Sequence, residues 1–455
     1  MRTNWEPEPE DELDTRSQLK GEVLSHGSAH ADREEFPSSE ILPIPKSFEA
    51  KLVENFRLTP TSHWQDVRLL CFNIPNNREY QAGDTVTIFP KNFPEDVQAL
   101  IDLQGWNDVA DIPLIFKAQA PDYFGAENLV SLPPGLVPLK DCTLRKLLLH
   151  NLDITAIPKR HFFHLIANHT DDPMHRERLL DFTNPMFTDE FFDYTTRPRR
   201  SILEVLQDFP SVKLPWKWAT TLFPLIRGRQ FSICSGGLQQ DYATVPGTIR
   251  LEITVAIVKY KTVLKKVRQG LCSRYLAGLA EGTTIAMTLN LNHTFFKSVE
   301  DSVCQPVIMV GPGTGVAPCR SLIWQRATEA VEYPNQVRDA VLFFGSRNKN
   351  ADYFFGNEWK NPSLRLQVFT AFSRDQKEKI YVQDLIRREG ELVYQLLLED
   401  ALIIVCGSSG KMPQQVRRAF MDVIEKYGGP WESREKVEEA FELIEKRGKY
   451  LQETW

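Results

Sequence analysis

The residues best suited to chemistry fall in five groups. In chain order they are Arg229-Gln230-Phe231-Ser232, Gly270-Leu271-Cys272-Ser273, Gly311 through Pro318 (Gly-Pro-Gly-Thr-Gly-Val-Ala-Pro), Ser373-Arg374 followed by Lys379 and Tyr381, and the terminal Trp455. The Gly311 group follows a short apolar run and opens a helical stretch. Its glycines let backbone approach a pyrophosphate, the helix start supplies N–H groups and partial positive charge, and Thr314 adds a hydroxyl. Gly270 to Ser273 precedes a short helix and offers a second phosphate site by the same physics; capping of that helix by Ser273 is the compatible alternative. Together the groups suit a chain that holds a flavin dinucleotide and a phosphorylated nicotinamide dinucleotide and passes a hydride between them.

Ser373, Arg374, Lys379 and Tyr381 follow an expected strand ending near Phe369. At the carboxyl edge of a parallel sheet, an Arg accommodates a ribose 2′-phosphate where an acid would favour the unphosphorylated ribose. Asp375, Lys377 and Glu378 adjoin, so the segment also reads as a solvated charge run. Strand alternation puts Arg229 and Phe231 on one face and Ser232 on the other. That suits an Arg for the flavin pyrophosphate, a ring against the isoalloxazine and a hydroxyl near its reactive edge. Alone, the tetrapeptide reads as an ordinary amphipathic strand, and only the other motifs favour the flavin reading.

These groups need elements to hold them. Residues 1–40 are polar, with an acidic start (Glu6, Glu8, Glu10, Asp11, Glu12), and read as a disordered tail or linker. Strands are expected at Ser47–Phe56, Asp66–Pro75 and Ala82–Pro90, and again at Arg229–Cys234, Thr248–Val258 and Thr284–Leu291. Between them, residues 94–223 read as helices broken by proline, including Glu95–Leu103, Thr143–Leu149 and Ser201–Gln207. The expectation is an antiparallel β-barrel over 41–298 interrupted by a helical insert. Beyond it, Pro306–Val310, Ala340–Phe344, Leu364–Phe369 and Ala401–Cys406 are apolar runs suited to central parallel strands, with helices at Arg320–Val331 and Met412–Tyr427. Residues 299–455 are therefore expected to form a doubly wound α/β domain.

Composition excludes several functions. Of 455 residues, 42% are hydrophobic and 25% charged, with net charge −6, which argues against a broad nucleic-acid surface. The longest apolar runs are too short to span a bilayer, and the acidic N-terminus is neither a secretory signal nor a transit peptide. The seven scattered cysteines contain no C-x-x-C pair and the histidines no ligand constellation, so no metal is expected, and a reduced, cytoplasmic setting is.

Taken together, the motifs resemble the diflavin reductase family, which includes cytochrome P450 reductase, over roughly residues 45–455. The resemblance rests on R-x-F-S, G-x-C-S, G-P-G-T-G-V-A-P, F-F-G-S-R, F-S-R-D-Q with K-I-Y-V-Q, V-C-G-S and the terminal Trp, all in family order, and on Arg199–Ser211 for the helical insert. It implies a two-domain, ferredoxin-NADP-reductase-like fold. It also implies hydride transfer from NADPH to FAD. By resemblance, Arg229, Phe231, Ser232, Gly270, Leu271, Cys272 and Ser273 bind FAD, and Trp455 covers the flavin face. Gly311, Thr314, Arg347, Ser373, Arg374, Lys379, Tyr381 and Gln383 bind NADPH, and Ser232, Cys406 and Glu453 assist the transfer.

Phe231, Val405–Pro413 and the Glu-Thr-Trp ending most resemble the branch serving cytosolic iron–sulfur assembly. That implies electrons passing to an FMN domain or FMN protein and an anamorsin-type iron–sulfur protein. Phe231 stands where Tyr is commoner, Glu453 where many members have Asp, and Ser408 where several have an acid. Nothing here matches the family's FMN-binding domain, so the chain is expected to be the FAD/NADPH half. Two alternatives stand beside this reading. A ferredoxin–NADP reductase commonly ends in Tyr and lacks the long insert; a cofactor-binding scaffold would show no turnover.

Overall fold

The computed structural model describes residues 36–455 apart from 38, 117–128, 131, 244, 263–266, 292–294, 296–302, 335 and 431–432. The expected N-terminal tail lies almost wholly outside the described residues.

Six strands form an antiparallel sheet: β1 (Phe48–Arg57), β2 (Val67–Pro75), β3 (Thr85–Ile88), β4 (Arg229–Ser232), β5 (Thr248–Ala256) and β6 (Thr284–Asn290), in the order β4-β3-β6-β1-β2-β5. The two outer strands also meet. Ile233 bridges Ile253, and Cys234 N–H donates to Glu252 O at 2.8 Å, which closes the sheet into the expected barrel. Its inward residues, among them Leu52, Phe72, Val86, Ile253 and Met287, make one buried cluster. Closure removes the exposed edges that an open sheet would leave.

The helical segment lies between β3 and β4 in the chain, and those strands pair with each other, Thr85 opposite Ser232. It therefore leaves and re-enters the barrel at neighbouring positions. Its helices include Pro94–Gln104, Leu144–His150, Arg160–Ile166, Pro173–Asp181 and Ile202–Asp208. They pack around their own apolar core, from Val97 to Phe223. Ser201 and Glu204 form a reciprocal capping box that starts the last of them.

The second sheet is wholly parallel: β7 (Val307–Val310), β8 (Ala340–Ser346), β9 (Leu366–Phe372), β10 (Leu402–Gly407) and β11 (Tyr450–Thr454), in the order β9-β8-β7-β10-β11. Val307–Val310, Ala340–Phe344 and Leu402–Val405 of its central strands are apolar at every position because both faces are covered. Ile308, Val310, Phe343 and Val405 face the helices Val382–Arg388 and Met412–Tyr427. Met309, Leu342, Phe344 and Ile404 face the helix Val316–Glu332. The chain builds β8 and β9 on one side of β7, then β10 and β11 on the other. This makes a topological switch point beside β7, where ligands of such sheets bind.

Candidate active site

The carboxyl ends of the parallel strands gather most of the candidate residues. Gly311 follows β7, Arg347 follows β8, Ser373 and Arg374 follow β9, Ser408 follows β10, and Trp455 follows β11. Opposite them stands barrel strand β4. Its Ser232 hydroxyl donates to Glu453 Oε1, joining the barrel to the last strand of the parallel sheet. Burial holds the Glu453 carboxyl above the usual range, and the Ser232 hydroxyl pulls the other way.

Cys406 sits beside Glu453 in the β10–β11 register. It is fully buried, and its free thiol makes a hydrogen bond with that of Cys319. That bond, then burial and the Glu453 charge, keep it protonated. Of the three polar groups, then, Ser232 and Glu453 touch, and Cys406 lies beside Glu453 with its thiol against that of Cys319. Trp455 N–H donates to Gly407 O at 3.0 Å, and a Trp455 oxygen accepts Ser409 N–H at 3.0 Å. Trp455 is 53% exposed, available to cover a ring.

The dinucleotide turn is shaped by contact. Gly313 takes φ +57°. At Gly315 a Cβ would lie 2.3 Å from Cys406 O, so only glycine lets the start of the Val316–Glu332 helix press against β10. This leaves a seventeen-residue helix aimed at the switch point, a donor end suited to a pyrophosphate.

The barrel-side phosphate site differs in detail from the sequence reading. Ser273 is buried, not a free donor and not the cap. Its hydroxyl accepts Val258 N–H (3.1 Å) and donates to Gly270 O (3.1 Å), while Gly270 occupies the cap position. Cys272 is likewise buried, its thiol pushed up to about 12 by burial and drawn back by the Arg229 charge. The Arg229 guanidinium donates only to the carbonyls of Arg227 and Gly228, and no carboxylate pairs with it among the described residues. An exposed, uncompensated guanidinium beside a helix start fits a flavin pyrophosphate. Phe231 is half-buried against the barrel core.

At the 2′-phosphate edge, Ser373 N–H donates to Ser346 O (3.0 Å) and Arg374 N–H to Arg347 O (2.8 Å). These bonds extend β8–β9 pairing past the sheet and set two arginines on neighbouring strands. Asp375 is no idle member of a charge run: it accepts from Asn348 Nδ2 (3.0 Å) and Lys349 N–H (2.8 Å), tying the two loops. The Ser373 hydroxyl turns back to Ser346 O (3.3 Å), so it braces the loop. Arg374, Lys379 and Tyr381 are exposed, and Gln383 is half-buried. Clustered like charges with one exposed side fit a phosphate dianion.

Sequence reasoning missed Trp64. Carried by the β1–β2 loop, its ring lies under the Arg347 guanidinium, 4.2 Å from the ring centre. The neighbouring His63 is half-buried, and its pKa is lowered by desolvation of the ring, against the Asp352 charge and with help from those of Arg347, Arg57 and Arg374. Asp352 in turn accepts the N–H groups of Arg347 (3.0 Å) and Asn348 (2.7 Å). A lone exposed Trp in a polar loop was the only local signal.

Barrel, switch point and two helix starts define an oxidoreductase that uses FAD and NADPH. Residues 43–275 match the FAD binding domain family, and residues 309–418 match the oxidoreductase NAD-binding domain family. The chain is 46% identical over 457 residues to "NADPH-dependent diflavin oxidoreductase 1" of Aspergillus fumigatus, covering 96% of this chain and 69% of that protein. It is 45% identical over 430 residues to the protein of that name from Emericella nidulans (91% and 64%), and 40% identical over 418 residues to that of Schizosaccharomyces pombe (90% and 65%). The chain belongs to the diflavin oxidoreductase family. Roughly a third of each relative's length lies outside these matches. No described helix is long and apolar enough to cross a membrane.

Proposed function

We propose that this chain takes a hydride from NADPH onto FAD and passes the electrons on, singly, to an FMN domain or FMN protein and then to an iron–sulfur protein of cytosolic iron–sulfur assembly. In this reading the chain divides into a flavin-binding part, 41–298, and a nicotinamide-binding part, 299–455. The observation that carries it is the Ser232–Glu453 hydrogen bond, which brings the flavin strand β4 to the end of β11 beside Trp455.

Bound there, NADPH supplies the hydride and FAD accepts it. The chain's own part is positioning and electrostatics. Arg229 and the start of Leu271–Gly278 hold the flavin pyrophosphate. The helix start after Gly311 holds that of the nicotinamide dinucleotide, and Arg347, Arg374 and Lys379 hold the 2′-phosphate. Ser232 orients Glu453, whose carboxylate balances positive charge at the reacting centre. Trp455 shields the flavin ring from water until the nicotinamide takes its place.

The test is steady-state reduction of ferricyanide by the FAD-loaded protein with NADPH and with NADH. NADPH should be favoured by at least tenfold in kcat/KM, with the preference lost in Arg374→Ala. Equal rates with both would remove the 2′-phosphate assignment.

A further inference from the structure

The helix that begins at the dinucleotide turn is fastened to the barrel along one face. Arg320, one turn in, is 4% exposed and uses its whole fork. Nη1 donates to Glu252 Oε2 (2.6 Å) and to Cys234 O (2.9 Å), while Nε and Nη2 donate to Glu358 (2.8 and 2.9 Å). The next residue continues the seam: Ser321 Oγ donates to Ser235 O at 2.7 Å. At Gly236 a Cβ would lie 2.1 Å from Ser321 O, so the backbones nearly touch. Two turns on, Thr328 Oγ1 accepts Leu238 N–H (2.8 Å), and Gln325 Oε1 accepts Ala82 N–H (2.8 Å). The contacts to Cys234, Ser235, Gly236 and Leu238 engage the segment 234–238, which begins two residues after Ser232.

A buried ion pair is weak evidence for stability, because an apolar pair of the same shape often does as well. What a guanidinium fork adds is direction: its five donors accept partners at few angles. Here the fork is satisfied on both sides, by a barrel strand and by Glu358 of the parallel-sheet half. Glu252 is held in turn by Arg250 (2.5 Å) and, through its own N–H, by Ser235 Oγ (2.9 Å).

We propose that Arg320, gripped by Glu252 and Glu358, is a positioning residue that fixes the spacing between flavin strand β4 and the dinucleotide turn Gly311–Gly315, and so sets the rate of flavin reduction without touching either cofactor. This rests on the hydride-transfer reading above.

Two variants test it. Arg320→Lys keeps the charge and loses the fork; the double variant Arg320→Leu/Glu252→Leu removes both buried charges and leaves Arg250 with Glu54 and Glu358 with Trp324 Nε1. Three quantities are read: amide hydrogen exchange over 234–238, affinity for 2′,5′-ADP by calorimetry, and anaerobic flavin reduction by NADPH. The expected result is at least tenfold faster exchange and at least tenfold slower reduction in both variants, with FAD content and 2′,5′-ADP affinity within twofold of the parent. Unchanged exchange, or unchanged reduction despite faster exchange, overturns the proposal. So does loss of FAD and 2′,5′-ADP binding in both variants, which would make Arg320 a folding residue. If the parent itself is not reduced by NADPH, the hydride-transfer reading fails; the exchange measurement still decides whether the clamp holds the strand.

Discussion

The Ser232 hydroxyl on barrel strand β4 donates to the Glu453 carboxyl on β11, across 221 positions of the chain. Hydrogen bonds to charged groups are worth about 1.5–3 kcal/mol. If that interaction is used at the reacting centre, Ser232→Ala slows flavin reduction by roughly 10- to 100-fold. Stopped-flow at saturating NADPH checks this, with 2′,5′-ADP affinity unchanged as the control.

Glu453 also sets a pH dependence. Its burial raises the carboxyl above the usual value, so it ionises later than an exposed Glu. The ionised form is the one that balances positive charge. Flavin reduction should therefore rise with pH through that raised pKa, and the rise should be absent in Glu453→Gln. A rate–pH profile of the two proteins decides it; the same inflection in both would assign the titration elsewhere.

Trp64 braces Arg347 from the barrel side. A cation–π contact of this kind contributes about 0.5–2 kcal/mol. Trp64→Ala should weaken 2′,5′-ADP binding by roughly 2- to 30-fold, leaving the reduction rate at saturating NADPH unchanged. Calorimetry and stopped-flow read the two effects separately.

Much of the fold was legible because its strands carry strong local patterns. Runs such as Leu402–Val405 are apolar at every position, which in a short segment means burial on both faces. β11 was not legible as a strand: Tyr450-Leu-Gln-Glu-Thr454 is short, mixed and at the sheet edge, so only pairing with β10 defines it. The site motifs were legible as types, and the resemblance supplied their roles. What local sequence could not supply were contacts between distant segments: Trp64 under Arg347, Arg320 between Glu252 and Glu358, and Cys319 against Cys406. Ser273 and Cys272 show the converse. A motif's residues were named, yet their side chains hold the loop's own backbone or the core, a placement set by contacts with Val258 and the barrel.

The Glu252 carboxyl is buried, but the Arg320 and Arg250 charges outweigh that burial and hold its pKa below the usual value. A depressed carboxyl pKa contributes stability that is present above the unfolded value and lost as pH falls through the folded one. Glu252→Gln, which leaves Arg320 only Glu358 as a carboxylate partner, should cost roughly 3–5 kcal/mol at neutral pH. The gap between the two proteins in urea melts should narrow below about pH 4.3, the unfolded carboxyl value. A gap independent of pH would show that packing, not charge, is what Glu252 contributes.

Thiol chemistry gives an independent check of the packing. All seven cysteines are free, and only Cys304 is exposed. Burial pushes the Cys142 thiol up to about 11 and Cys234 and Cys272 up to about 12. Iodoacetamide at pH 8 should label Cys304 first and leave the other six until the protein unfolds, as peptide mass spectrometry would report. Early labelling of Cys272 or Cys406 would contradict their placement.

The most direct measurement is the visible spectrum of the FAD-loaded protein on anaerobic addition of one equivalent of NADPH. Bleaching of the flavin band within seconds is predicted, with Ser232→Ala bleaching more slowly. A stable flavin spectrum that NADPH does not bleach, or a protein that cannot be loaded with FAD, would contradict hydride transfer at the Ser232–Glu453 junction.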